Sequence, residues 1–309
     1  MLVRFRFLLL ASFAIALQWG CMSVRNMNDH SSKLLPAALI AFSPYGADPV
    51  FTGGGPNAWD RQIRERGYML KEKGMYHLWY TGYSPASPTK FLGYATSKDG
   101  ISWKRFQDKT LYEQGWVEDM CVVKFRNAYY MFAEGRGDTA HLLVSDDKVD
   151  WKGRGNLDIR KMNGSPISPG AFGTPTVIHE KGFWYLFYER EDKGVWLAQS
   201  KDLKIWTNVD DEPVLKMGPD PYDAHAVAMN QVIKYKGLYY GYYHASAFKD
   251  WHEWSVNIAV SKDLIHWKKF EGNPIVGNNK SSGIVVKDGK AFRMYTMHRK
   301  VELFMNPGN

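Results

Sequence analysis

Beyond residue 36 the chain alternates short apolar runs with Gly-bearing turns and polar loops, and no segment of note keeps a helical period. Five of the runs are rich in rings, at residues 76–80, 129–132, 184–188, 239–243 and 291–295. Aromatic side chains suit a pleated, half-buried surface, so each run predicts a β-strand. Turns precede these strands, among them Lys73-Gly74, Lys181-Gly182, Lys236-Gly237 and Asp288-Gly289, and a short apolar stretch such as Cys121-Val122-Val123 or Thr176-Val177-Ile178 precedes the turn. The unit reads as apolar strand, hairpin, aromatic strand, loop, and a third strand such as Gly93-Tyr94-Ala95-Thr96.

Four units end in the same pattern, Ser-x-Asp-x-x-x-Trp: Ser97-Asp99-Trp103, Ser145-Asp147-Trp151, Ser200-Asp202-Trp206 and Ser261-Asp263-Trp267. The tryptophans are 48, 55 and 61 residues apart, a repeat of propeller-blade size that grows by loop insertion. Ser and Asp side chains bond the backbone N–H groups of their own turn, and Trp packs between neighbouring sheets, so these aspartates are structural. Five units of about four strands close into a ring without long exposed edges. The fifth unit is cut short by the C-terminus, and Leu39-Ile40-Ala41-Phe42 is expected to complete it. The expected architecture is all-β, a five-bladed β-propeller forming one domain at residues 37–309.

Composition adds a core and a compartment. At 309 residues, 45% hydrophobic and 15% aromatic, the chain carries ample apolar surface for one large domain. Arg4 and Arg6 followed by the apolar stretch 7–17 read as an export signal over residues 1–21, with 22–36 as a linker. Cys21 leaves lipoprotein processing and plain secretion both open, so the expected location is periplasmic, cell-surface or extracellular. Removal of the leader would leave Cys121 alone, which excludes a disulfide framework. No Cys/His spacing suits zinc, and the dispersed basic residues behind the net charge of +8 exclude a nucleic-acid arm while allowing an anionic substrate.

The repeated strands, such as residues 74–82 followed by Leu92-Gly93-Tyr94-Ala95-Thr96-Ser97-Lys98-Asp99-Gly100, resemble those of the five-bladed propeller glycoside hydrolases. That superfamily holds families 32, 43, 68 and 117, with 130 as a relative, and the resemblance runs from about Phe42 to Leu303. It implies a glycoside hydrolase acting on a plant or algal poly- or oligosaccharide through carboxylate acid/base chemistry. Its alternatives are a phosphorylase or transglycosidase and a non-catalytic carbohydrate-binding propeller. It implies no cofactor, with axial calcium known in such folds, and membrane contact only through a lipid anchor.

In such propellers the inner strand of each blade begins, and the next strand ends, at the face that holds substrate. The resemblance therefore points to residues just before the inner strands and to Thr81, Glu134, Glu189, His244 and Thr296 just after the aromatic ones. Asp60 and Asp119 resemble the first- and second-blade aspartates of the family. The family's third-blade acid is missing, because Gly173-Thr174-Pro175-Thr176 stands there, and Glu189 is taken as its substitute. Trp59, Arg64, Glu65, Arg66, Glu118, Glu134, Arg136, His225 and His244 are the expected substrate-binding residues, with Glu65 equally readable as an ion-pair partner of its flanking arginines. Hydrolysis requires at least two of Asp60, Glu65, Glu118, Asp119, Glu134 and Glu189 to converge near the axis, roughly 5 to 10 Å apart.

Overall fold

The structure is a computed structural model that describes residues 35–306 other than Pro88. The expected leader and nearly all of the linker lie outside the described residues. From Leu35 onward the chain forms one compact unit, built of five antiparallel sheets that follow one another along the sequence. Blade I comprises Gln62–Glu72, Met75–Tyr83, Phe91–Ser97 and Lys104–Arg105; blade II comprises Glu118–Phe125, Ala128–Gly135, Thr139–Ser145 and Lys152–Asn156. Blade III is built on Gly173–Glu180, Phe183–Glu189, Gly194–Ser200 and Ile205–Asn208. Blade IV comprises Ala226–Tyr235, Leu238–Ser246, Ser255–Ser261 and Trp267–Lys269, and blade V Ile284–Asp288, Ala291–Met297 and Val301–Met305. Blade III also gains two strands, Asp158–Arg160 parallel to its outer edge and Leu215–Lys216 beside Gly194–Ser200, which accounts for the longer spacings around it.

The Ser-Asp tails do the work their chemistry predicts. In blade I the amides of Ile101 and Ser102 both donate to Asp99 Oδ1 at 2.8 Å, and Gly100 donates to Ser97 Oγ at 2.8 Å. The same pattern recurs at Ser145/Asp147, Ser200/Asp202 and Ser261/Asp263. Each turn delivers its Trp onto a ring of the preceding blade: Trp151 on Trp79 at 6.1 Å, Trp206 on Phe132 at 5.8 Å and Trp267 on Phe187 at 5.7 Å. Trp103 meets Tyr295 at 6.4 Å and so joins the first blade to the last. Every such contact is edge-on, the arrangement favoured by the ring quadrupole.

Blade V has no Trp to pack on blade IV, and the N-terminal segment fills the gap. Its strand is Ser43–Pro44, paired with Met305 and Phe304, not the expected Leu39-Ile40-Ala41-Phe42. Ala37–Ile40 instead makes one helical turn that buries Leu39 completely. Tyr242 of blade IV donates its hydroxyl to the Leu39 carbonyl at 2.9 Å, and Leu35 and Leu39 pack with Tyr240, Tyr242 and Phe292. The apolar run is a plug between blades, each leucine contributing about 2 kcal/mol of burial, and the exposed Ser43–Pro44 pair after it closes the ring.

Candidate active site

The inner strands open on a shared distortion. Their pairing slips between Arg64 and Tyr68 in blade I, Glu118 and Cys121 in blade II, and Gly173 and Thr176 in blade III. At each slip a non-glycine residue takes a left-handed backbone: Glu65 with φ 53°, Asp119 with φ 44° and Thr174 with φ 45°. Ser282, just before the inner strand of blade V, has φ 55°. Such a conformation costs on the order of 1 kcal/mol or more, and bulges re-aim side chains. Here all four residues border one cavity of about 630 Å3. Thr174 thus stands, in register, where the family resemblance expects an acid.

Beneath the cavity lies Arg66, fully buried. Its guanidinium donates to Thr176 Oγ1 at 2.7 Å, to the Pro175, Met229 and Asn230 carbonyls at 2.7, 2.9 and 3.0 Å, and to the Asp119 carbonyl. One planar cation thereby ties together four blades at the floor. This corrects the expectation that Arg66 binds substrate: both terminal nitrogens of its fork are taken by protein oxygens, and the fully buried side chain is not part of the cavity lining.

Carboxyl groups dominate the walls. Glu134 Oε2 accepts from the Thr174 amide at 3.0 Å, and Glu189 Oε1 accepts from the adjacent Gly173 amide at 3.1 Å. Both oxygens lie within 2.7 Å of the point where a Cβ on Gly173 would stand. They are therefore at most about 5 Å apart, near the lower end of the range that glycoside hydrolysis uses. The other Glu189 oxygen accepts from the Asp192 amide at 2.6 Å. Across the cavity Arg64 bonds Glu118 and Glu65, both at 2.5 Å, while His298 reaches Glu65 at 3.2 Å. Trp116 Nε1 donates to Glu118 at 2.6 Å.

These surroundings separate the carboxyl groups by protonation. Burial raises Asp119 well above the usual range, with the neighbouring charge of Glu65 adding to it. Burial likewise raises Glu134, with the charge of Asp119 behind it, and it raises Glu189. Glu118 is pushed to about 7 by burial against the pull of Arg64, and Asp192 to about 7 by burial and the charge of Glu189. Glu65 goes the other way: burial opposes its charge, but His298 and Arg64 together hold it at about 2. His244 is kept neutral, at about 3, by burial and by Arg66. Its Nδ1 is hydrogen-bonded with the Asn230 side-chain amide at 2.9 Å. The site can thus hold protons on some acids while keeping at least one ionised, the combination that acid/base chemistry needs.

Of the expected site residues, Arg64, Glu65, Glu118, Asp119, Glu134, Glu189 and His244 border this cavity. Asp60 does not. Its buried carboxylate is held by the Tyr80 hydroxyl at 2.8 Å and Arg105 Nε at 2.7 Å, bracing the approach loop against blade I. Trp59 belongs to the same brace, stacked on Tyr80 at 6.2 Å. Arg136 is exposed, its guanidinium 6.0 Å from the Trp116 ring and outside the lining. His225 is half-buried away from the cavity, with its main-chain N–H bonded to Ser246. Asp138, Asp192, Trp251, Trp254 and His298 line the cavity without having been anticipated. All sit in the hairpins that follow the aromatic strands, just beyond Glu134, Glu189, His244 and Thr296, but those hairpins differ in length and share no register that would single the residues out. Among the described residues no cluster of His, Cys, Asp and Glu has the arrangement of a metal site.

No protein-family model matches the chain. The chain is 30% identical over 227 residues to the 1,2-β-oligomannan phosphorylase of Thermoanaerobacter sp. (strain X514), covering 67% of this chain and 73% of that one. It is 28% identical over 174 residues to the β-1,2-mannobiose phosphorylase of the same organism, covering 48% and 54%. Among solved structures it superimposes on a GH130 protein from work on mannoside phosphorylases and on hydrolases that target β-1,2 mannosidic linkages in Candida mannan. That match has a TM-score of 0.71 at 16% identity and covers 89% of this chain and 96% of the other. The five-bladed propeller, the carboxyl-lined axial cavity and the identity to the oligomannan phosphorylase place this chain in that enzyme's family, GH130, whose members process glycosidic bonds.

Proposed function

We propose that the protein is a glycoside hydrolase that cleaves β-1,2-linked mannosides with water, not phosphate, as the acceptor. One observation carries the choice: eight carboxyl groups and a single guanidinium, that of Arg64, line the axial cavity. That guanidinium is already paired with Glu65 and Glu118. Inorganic phosphate carries between one and two negative charges at neutral pH, and it would enter a field of its own sign with no uncommitted arginine on this cavity's own lining to offset the repulsion. A neutral sugar meets no such barrier, and its hydroxyls suit walls made of hydrogen-bond acceptors and protonated acids. The sugar class comes from the relatives, whose names specify β-1,2-oligomannan and β-1,2-mannobiose, and it takes the place of the plant or algal polysaccharide expected from sequence.

In this reading Asp119, aimed into the cavity by its left-handed backbone and holding its proton, is the general acid. Its proton passes to the glycosidic oxygen as the bond from that oxygen to the anomeric carbon breaks. The Glu134–Glu189 pair is the base. Two carboxyl groups so close do not both ionise readily, so the pair carries one proton and one charge near neutrality. The charged member takes a proton from the water that attacks the anomeric carbon. Glu65, ionised throughout, supports the positive charge that develops on the sugar ring. The Arg4- and Arg6-flanked leader adds that this chemistry takes place outside the cytoplasm. The test is turnover of β-1,2-mannobiose in phosphate-free buffer: free mannose supports the reading, and turnover that requires added phosphate replaces it with phosphorolysis.

A further inference from the structure

Blades IV and V part on the cavity face to leave a second cavity of about 490 Å3. It shares Trp251, Trp254, Ser281 and His298 with the first, so the two are lobes of one cleft. Their charges are opposite. Lys280, Arg299 and Lys300 line the second lobe against one carboxylate, Glu302. Lys280 and Lys300 both bond that carboxylate, at 2.7 and 3.1 Å, so a single negative charge serves two positive ones. Arg299 is exposed at the tip of its hairpin and makes no ion pair among the described residues. On the opposite wall Trp251 is 54% exposed and takes a left-handed φ of 55°. A bare indole on the wall of a sugar-processing cleft is a stacking platform.

We propose that the second lobe binds a sugar unit carrying an anionic substituent, a carboxylate or a phosphate ester, with Arg299 and Lys300 meeting the charge and Trp251 stacking on the ring. The proposal rests on the hydrolase reading and specifies its substrate: a mannoside oligomer that is charged away from the scissile bond. The carboxyl-lined lobe repels such a group and the basic lobe attracts it, so the substrate enters in one orientation. Arginine's planar fork fits either group in a bidentate manner.

The test uses β-1,2-mannotriose and the same trisaccharide carrying a 6-phosphate or a 6-carboxylate on one terminal unit, each end in turn, with the full-length protein and its Arg299→Ala and Lys300→Ala variants. The expected result is a KM for one or both anionic substrates that rises about fivefold in each variant with kcat unchanged, while the neutral substrate is unaffected. Added salt should erase the preference, and the stronger response tells phosphate ester from carboxylate. Equal effects on neutral and charged substrates, or no effect on either, would overturn the proposal. If no trisaccharide is turned over, the hydrolase reading fails, but calorimetric titration of the same ligands still decides the lobe. A preference for the charged ligand that Arg299→Ala removes supports it, and indifferent binding refutes it. Production of mannose 1-phosphate from inorganic phosphate, lost in Arg299→Ala, would mean that the lobe holds the attacking phosphate and would overturn both readings.

Discussion

The carboxylates of Glu134 and Glu189 come from neighbouring blades and meet over Gly173, each bonding one of two successive amides. The approach is close enough that any β-carbon at Gly173 would collide with both. Gly173→Ala is therefore expected to push the pair apart while leaving the blade folded. The mutant should keep its melting temperature within a few degrees and lose about 100-fold or more in kcat. Steady-state kinetics beside thermal unfolding checks this; an unimpaired kcat would remove the pair from the mechanism.

Glu134→Gln and Glu189→Gln should each lower kcat by about 10² to 10⁴, and the double variant should be little worse than the worse single one. Two groups that share one proton act as a unit, so their losses do not add. A double-mutant cycle on β-1,2-mannobiose measures this directly.

Asp60 and Asp119 offer a contrast. Asp60 braces Tyr80 and Arg105, so Asp60→Asn should lower the melting temperature by several degrees, about 1–3 kcal/mol for a buried charged hydrogen bond, with kcat within a factor of about two. Asp119→Asn should do the reverse, keeping the fold and losing activity. The comparison also marks what was legible in the chain. The repeat was readable because four of the five blades make the same Ser-Asp turn and seat the same Trp, and Glu134, Glu189 and His244 followed from that register. Asp60 misled because it resembles the family's first-blade aspartate, and Trp59 because an aromatic expected near the pocket can stack on a sugar; only tertiary packing shows them folded onto Tyr80. Asp138, Asp192 and His298 stayed hidden because hairpins of unequal length carry no register of their own. The closing strand was misplaced by a few residues because an apolar run such as Leu39-Ile40-Ala41-Phe42 has no period that separates a strand from a single helical turn.

Activity should fall on the alkaline side as Asp119 loses its proton, since a general acid works only while protonated. Glu118 loses its own proton near pH 7, and its charge helps to hold the Asp119 proton in place. Glu118→Gln should therefore move the alkaline limb of kcat/KM to lower pH. Stability carries the same sign. A carboxyl raised from 4.5 when unfolded to about 7 when folded favours the fold fully at low pH and loses that contribution as pH rises through about 7. Glu118 alone accounts for up to about 3 kcal/mol of this. Glu65, held at about 2, opposes it by losing its contribution only as pH falls from 4.5 toward 2. The melting temperature should be higher at pH 5 than at pH 8, with a smaller difference in Glu118→Gln.

Arg66→Lys should destabilise the whole ring, by about 3 kcal/mol or more, because an ammonium cannot reach all five oxygens that the guanidinium bonds. A single unfolding transition shifted as a unit is expected; loss of activity without loss of stability would mean that Arg66 touches substrate after all.

The identity of the acceptor decides the account. With β-1,2-mannobiose in water enriched in oxygen-18 and with inorganic phosphate present, hydrolysis predicts mannose carrying the label at its anomeric carbon, at a rate independent of phosphate. Unlabelled mannose 1-phosphate, formed at a rate that rises with phosphate, would contradict it.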